Sequence, residues 1–255
     1  MTATGAVVRL LVMTGYQQQP HSQQYVGGSQ VQLTAGLRQF MAGVYAWMAA
    51  GIGLTAAVAV AGSQSDAVLG MMYGPSRMGL TMPGYVIVFA PLIVVMFLRS
   101  RMERMSGGGA VATFMGFAAL LGLSFSAIPL IYQTASLAKI FLSTVGMFGA
   151  MAVLGFVTKK DLTGMGQFLT MALFGAIIAS VVNGFFVGSF GMDTVISAVI
   201  AIVAAGLTAY HTQSIKQVYL VNGGRGNLAI IGALQLYVDF INLFLSLLRL
   251  FGNRN

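Results

Sequence analysis

Apolar residues in this chain fall into seven continuous blocks, at about 40–62, 79–99, 109–132, 138–158, 166–188, 194–214 and 229–251. Each block reaches the ~20 residues that a helix needs to cross a ~30 Å hydrocarbon layer. A membrane barrel would show apolar and polar residues in alternation, because its strands face lipid on one side and the lumen on the other. These blocks do not alternate, so they predict helices, whose backbone satisfies its own hydrogen bonds in lipid. The expected fold is an all-α integral membrane protein, a bundle of seven transmembrane helices. Pro91 and Pro129 fall inside the second and third blocks and predict kinks there, each freeing a backbone carbonyl. Gln167 and Asn183 lie in the fifth block, which is expected to turn its polar side into the bundle.

Residues 1–36 read differently. Ala6–Met13 is weakly apolar but carries Arg9, and QQQPHSQQ at 17–24 is polar. A signal peptide needs a basic start, an unbroken apolar core and a small-residue cleavage site, and none of these stands out. The expectation is a disordered, cytoplasmic tail over 1–36, with Met13 an alternative start, and a membrane domain over 37–255. SGGG at 106–109 and GGRG at 223–226 read as turns between helices, because no Gly-Lys-Ser/Thr follows to make a phosphate loop.

Composition agrees with the blocks. The chain is 57% hydrophobic and 7% charged, with a mean hydropathy of +0.85, where soluble domains run near a quarter charged. Its 33 glycines suit helices that approach closely in lipid. The net charge of +8 does not point to nucleic acid, since the basic residues stand singly at the ends of apolar blocks. That distribution orients a protein in a membrane. With the N-terminus inside, Arg9, Arg38, Arg99, Arg101, Arg104, Lys159, Lys160, Lys216 and Arg225 fall on the cytoplasmic side. Only Arg77, Lys139, Arg249 and Arg254 fall outside. A cytoplasmic N-terminus follows, with an external C-terminus unless the last block bends back at its aspartate. The chain has no cysteine, so thiol and zinc–thiolate chemistry are excluded.

Few polar groups remain at membrane depth. Asp239 stands in the middle of GALQLYVDFINLFLSLLRLFG at 232–252. An ionisable group there costs at least ~2.5 kcal/mol on lenient insertion scales, which marks a functional candidate. His211 lies fourteen residues before Arg225 and Asp239 fourteen after it. If the sixth helix runs on through QSIKQVYL, the two side chains come level in an antiparallel hairpin, ~15 Å below the surface on the turn side. Arg99 sits ~10 Å deep by the same rise, or snorkels to the interface as one of a basic cluster. His211 also reads as a neutral, hydrogen-bonded packing residue. Gln235, Asp239 and Asn242 share a polar helix face, with Asn242 placed to hydrogen-bond the carboxylate.

Three stretches carry a resemblance. LYVDFINLFLSLLRLFG at 236–252 closely resembles the C-terminal signature of the Bax inhibitor-1 (transmembrane Bax-inhibitor-motif) family. GLTAYHTQSIK at 206–216 is similar to that family's sixth-span motif, and LRSRMER at 98–104 to the basic end of its second span. The resemblance covers most of 36–252. It implies a bacterial inner-membrane member whose C-terminal helix lies at the centre of the other six. It also implies a gate, or an ion or proton site, of Arg99, His211 and Asp239; Gln213, Gln235 and Asn242 are the polar residues expected to support it. Arg99 matches the family's arginine, and Asp239 the second of an aspartate pair linked to a pH-dependent calcium leak. His211 stands where the family has the first aspartate. Calcium takes six to eight oxygen ligands, and imidazole is a poor substitute. A histidine facing an aspartate can instead share a proton with it, the two titrating as a unit.

Two functions are therefore expected. One is a pH-sensitive ion-conducting protein, with calcium or protons as the implied ions. The alternative is a membrane interaction protein that binds and modulates a membrane-bound quality-control protease, as some similar bacterial members do, without conducting ions. An enzyme is not expected, because Asp239 is the one membrane-depth carboxylate and Asp161 and Asp193 sit at block ends. No cofactor or certain metal site is implied, and the lipid bilayer is the one partner that composition itself requires.

Overall fold

The computed structural model describes residues 22–74, 79–224 and 226–255, without the side chains of 22–33, Met96, Arg99 and Ser100. It divides into two compact units at Gln39/Phe40, and the contacts below all lie within the second. The helices are α1 (Ser22–Ser63), α2 (Asp66–Tyr73), α3 (Met82–Met102), α4 (Gly107–Ser124), α5 (Ile128–Ile131), α6 (Thr134–Val157), α7 (Thr163–Val182), α8 (Phe190–Asn222) and α9 (Leu228–Phe251). A π turn, Asn183–Val187, extends α7. No strand occurs among the described residues. Six stretches are long and apolar enough to cross a membrane: Thr34–Ser63, Gly107–Ile131, Thr134–Val157, Thr163–Val187, Phe190–Asn222 and Leu228–Phe251. Met82–Val95, in α3, is a shorter apolar helix.

Three expectations need correction. Residues 22–36 are helical rather than an unstructured tail; no proline lies between Ser22 and Ser63, so none interrupts the helical hydrogen bonds that lead into the first apolar block. The rest of that tail, 1–21, lies outside the described residues. Pro129 does not kink a continuous span. Helix α4 ends at Ser124 and Pro129 opens the separate turn α5, where a missing N–H breaks no helical bond. Helix α3, by contrast, runs through Pro91. The fifth block does not turn a polar side inward: Gln167 is exposed near the start of α7, and the buried Asn183 closes the turn after it.

Helix α8 packs against α6, α7 and α9. Gly155 of α6 faces the α8 backbone at Ala209, and Gly166 of α7 faces the Tyr210 ring, so closely that a Cβ at either would overlap them. These two glycines fix α8 just before His211. Helix α9 packs on α8, α6 and α4, with the Phe240 ring 5.7 Å from Phe141 and 5.6 Å from Phe148. Its apolar stretch is 61% buried, against 44% for α8 and less for the other spans.

Hydrogen bonds sort the chain turns into two ends. At one end, Asn227 Nδ2, just before α9, donates to the Met102 and Met105 carbonyls in the α3–α4 turn, at 2.8 and 2.7 Å. The α6–α7 loop joins the same end, because Gln213 of α8 binds its backbone and Lys216 donates to the Phe156 carbonyl in the last turn of α6. At the other end, residues after α9 pair with the segment between α5 and α6. Gln133 N–H donates to the Asn253 carbonyl at 3.1 Å and Asn255 N–H to the Ile131 carbonyl at 2.9 Å. Helix α4 separates Met105 from Ile131, so α9 traverses the unit from end to end. It does not bend back at Asp239, and its unbroken α-helical hydrogen bonds are the reason.

Candidate functional site

Asp239 is the twelfth of the 24 residues of α9, and His211 precedes the end of α8 by eleven residues. At 1.5 Å per residue both lie ~16 Å from the intervening turn. Helix α8 does continue through QSIKQVYL to Asn222, so the two arms keep register. The side chains meet: His211 Nδ1 lies 2.6 Å from Asp239 Oδ2. The aspartate is 2% exposed and the histidine side chain 15%. The Tyr210 ring stands 5.2 Å from the imidazole. Such a bond is charge-assisted when the imidazole is protonated, and removing either partner leaves the other without its hydrogen bond at membrane depth.

The supporting residues are distributed differently from the expectation. Arg99 lies in α3, but its side chain is outside the described residues. Gln213 does not face the pair. Its amide accepts from Leu162 N–H at 2.9 Å and donates to the Lys160 carbonyl at 2.7 Å, as a strand neighbour would. It lies two residues beyond His211, and that ~200° rotation carries it to a different face of α8. Asn242 makes no hydrogen bond to Asp239; the carboxylate's side-chain partner among the described residues is His211. Asn242 and Gln235 are half-buried, and their side chains have no hydrogen bond among the described residues.

A second tether on α9 was not anticipated. Tyr237 is fully buried, and its hydroxyl lies 2.6 Å from Thr55 Oγ1 of α1. Thr55 Oγ1 also contacts the Gly51 and Ala118 carbonyls at 3.0 and 2.9 Å. Carbonyls only accept, so Thr55 donates to them and Tyr237 donates to Thr55. The Phe114 and Phe117 rings pack edge-on to Tyr237 at 5.5 and 6.1 Å. Tyr237 lies ~200° around the helix from Asp239, so polar bonds hold opposite sides of α9. The signal was present in the sequence as a tyrosine in an apolar run, but its partner is 182 residues away.

Among the described residues no three histidine, aspartate or glutamate side chains converge on a possible metal site. What the arrangement can do is hold, give up or accept a proton between two buried groups that join the last two spans.

The family model described as "Inhibitor of apoptosis-promoting Bax1" matches residues 37–255. The chain belongs to this, the Bax inhibitor-1 family. Among similar family proteins, "Inner membrane protein YbhL" of Escherichia coli K12 is 43% identical over 229 residues, covering 88% of this chain and 95% of the relative. An uncharacterized protein of Deinococcus radiodurans is 40% identical over 237 residues, covering 92% and 99%. An uncharacterized membrane protein of Streptococcus pyogenes serotype M3 is 34% identical over 235 residues, covering 88% and 96%. As a Bax inhibitor-1 family membrane protein, this chain carries the His211–Asp239 pair within its two most buried spans.

Proposed function

We propose that this protein is a multi-pass protein of the bacterial inner membrane, with seven spans, six of them arranged around α9, and a cytoplasmic N-terminus. In this reading the His211–Asp239 pair, with Arg99, is a proton-responsive gate on an ion path. The observation that carries it is the 2.6 Å bond between Nδ1 and Oδ2 at the middle of two adjoining spans. Protonation changes at that bond alter how α8 and α9 hold each other, and ionisable groups at such depth are costly enough to need a function. The central place of α9 is supported by its burial and by polar bonds on opposite sides of it. Orientation is supported by the Arg101, Arg104, Lys159, Lys160 and Lys216 positions at or near one end. The inner-membrane location is supported by the name of the Escherichia coli relative.

The ion is where this chain parts from a two-carboxylate gate. Imidazole offers nitrogen where calcium needs oxygen, and once protonated it adds a positive charge. The test is flux of calcium, sodium and potassium through the purified protein in liposomes, scanned across pH. Wild type is expected to conduct with a pH dependence and to pass calcium poorly. His211→Asp is expected to raise the calcium leak, and His211→Asp/Asp239→Asn to abolish that gain. A wild-type calcium leak as large as that of His211→Asp removes the carboxylate pair as the determinant. No pH-dependent flux of any of the three cations removes conduction, and leaves the protease-binding reading to be tested by co-purification from membranes.

A further inference from the structure

The turn between α7 and α8 differs from the α3–α4 and α6–α7 turns. From Gly184 to Met192 it reads GFFVGSFGM, without a charged residue. The α3–α4 turn has exposed Glu103 and Arg104, and the α6–α7 loop has exposed Lys159, Lys160 and Asp161. Large apolar side chains nevertheless project from this turn. Phe186 is 83% exposed and Phe190 73%, with Phe185 and Val187 also exposed. A water-facing turn with four such side chains is an aggregation surface.

The polar groups of the same turn are paired with one another. Asn183 is 1% exposed, and its amide uses both ends. Nδ2 donates to the Ser189 carbonyl at 3.0 Å and to Asp193 Oδ1 at 2.9 Å, while Oδ1 accepts from Ser189 N–H at 3.2 Å. Gly188, in the left-handed region at φ 67°, donates its N–H to the Asn183 carbonyl at 2.7 Å. The Ser189 hydroxyl then caps α8 through Met192 N–H at 3.3 Å, and the Thr194 hydroxyl donates to the Phe190 carbonyl at 3.0 Å. Irregular backbone is tolerated near lipid where protein groups satisfy it, and this turn supplies those groups itself.

We propose that the α7–α8 turn is a lipid-seated tip, resting in the interfacial region of the bilayer rather than in water. Its occupant is lipid because the apolar surface is continuous with that of the flanking spans. Phe174, Ile178 and Val182 of α7 and Val195 and Val199 of α8 are exposed along the same hairpin. The ring of Phe185 meets Tyr85 of α3 at 6.1 Å, and Tyr85 is itself part-exposed with a polar hydroxyl, as aromatic residues at membrane interfaces are. Asp193, one turn into α8 and exposed, is drawn toward the turn by Asn183, which places its charge at headgroup level. The tip seats in the leaflet opposite the Lys159/Lys160 loop, since α7 lies between them.

The chain has one tryptophan, Trp47, so Trp47→Phe gives a silent background for a reporter. Phe186→Trp and Phe190→Trp are placed separately in it, with Met105→Trp in the α3–α4 turn as the comparison, and each protein is reconstituted in phosphatidylcholine/phosphatidylglycerol vesicles. Both substituted side chains are mostly exposed, so neither disturbs packing. The expected result is blue-shifted emission from the two tip reporters, lost when the lipids carry brominated acyl chains and little affected by aqueous iodide. Met105→Trp should be the more sensitive to iodide. Iodide quenching of the tip reporters as strong as that of Met105→Trp overturns the proposal. So does shielding from both quenchers, which means that protein, such as a second copy of this chain, covers the tip.

Discussion

Asp239 and Asp193 are both aspartates held by a neighbouring side chain, yet their surroundings set different expectations. Asp239 is buried against His211 across two spans, whereas Asp193 is exposed in the first turn of its own helix. Asp239→Asn should therefore change the pH dependence of cation flux, and Asp193→Asn should leave it unaltered. The comparison is read in the same liposome assay, and coincident curves for wild type and Asp239→Asn would take the pair out of the mechanism. Tyr237 allows a complementary test of stability. Tyr237→Phe removes the hydroxyl that donates to Thr55 but keeps the ring against Phe114 and Phe117. The expected loss is about 1 kcal/mol, read from denaturant unfolding in detergent, and Thr55→Val should cost more, because it also removes the donor to the Gly51 and Ala118 carbonyls. Asp239 was legible as a site because a carboxylate in an apolar run stands out. Tyr237 was not, since tyrosine is common in spans and its worth depends on Thr55.

At the scale of the helix, glycines that look alike in sequence divide by what faces them. Gly155 and Gly146 both lie in α6, but Gly155 abuts the Ala209 backbone and Gly146 has nothing near it. Gly155→Ala should destabilise the fold by forcing α6 away from α8, and should disturb the pair through His211. Gly146→Ala should be neutral or stabilising, by up to about 1 kcal/mol from helix propensity. Thermal unfolding in detergent checks both, and equal effects would mean that helix packing does not discriminate them. The start of α7 offers a pH test. The Thr163 hydroxyl, 2.6 Å away, and then the Thr163 N–H at 2.9 Å hold the Asp161 carboxyl below the ordinary aspartate range. A carboxyl lowered in the folded state contributes stability above its unfolded pKa and loses it as pH falls through its folded pKa. Amide exchange at Thr163 should accordingly speed up as pH drops below the aspartate range, relative to the intrinsic rate. Asp161→Asn should show no such step.

For the whole molecule, the expectation that follows from the two ends is topological. Asn253 pairs with Gln133 at one end, while Met105 accepts from Asn227 at the other. Cysteines introduced singly at 253 and 105, in a chain with none of its own, should react with impermeant thiol reagents from opposite faces of sealed vesicles. Labelling from the same face would show that α9 does not cross. The apolar blocks alone determined that this is an all-helical membrane protein, because twenty-residue apolar runs have no other stable use. The register of His211 and Asp239 was also legible, as equal arms about one turn make them level by arithmetic. Tertiary structure decided the rest. Gln213 binds the α6–α7 loop rather than the pair, Asn183 closes a turn rather than facing the bundle, and α9 runs on unbroken through Asp239 rather than bending. Each of these depends on which face of a helix meets which neighbour, a rotation of ~100° per residue that continuous apolar runs leave unspecified.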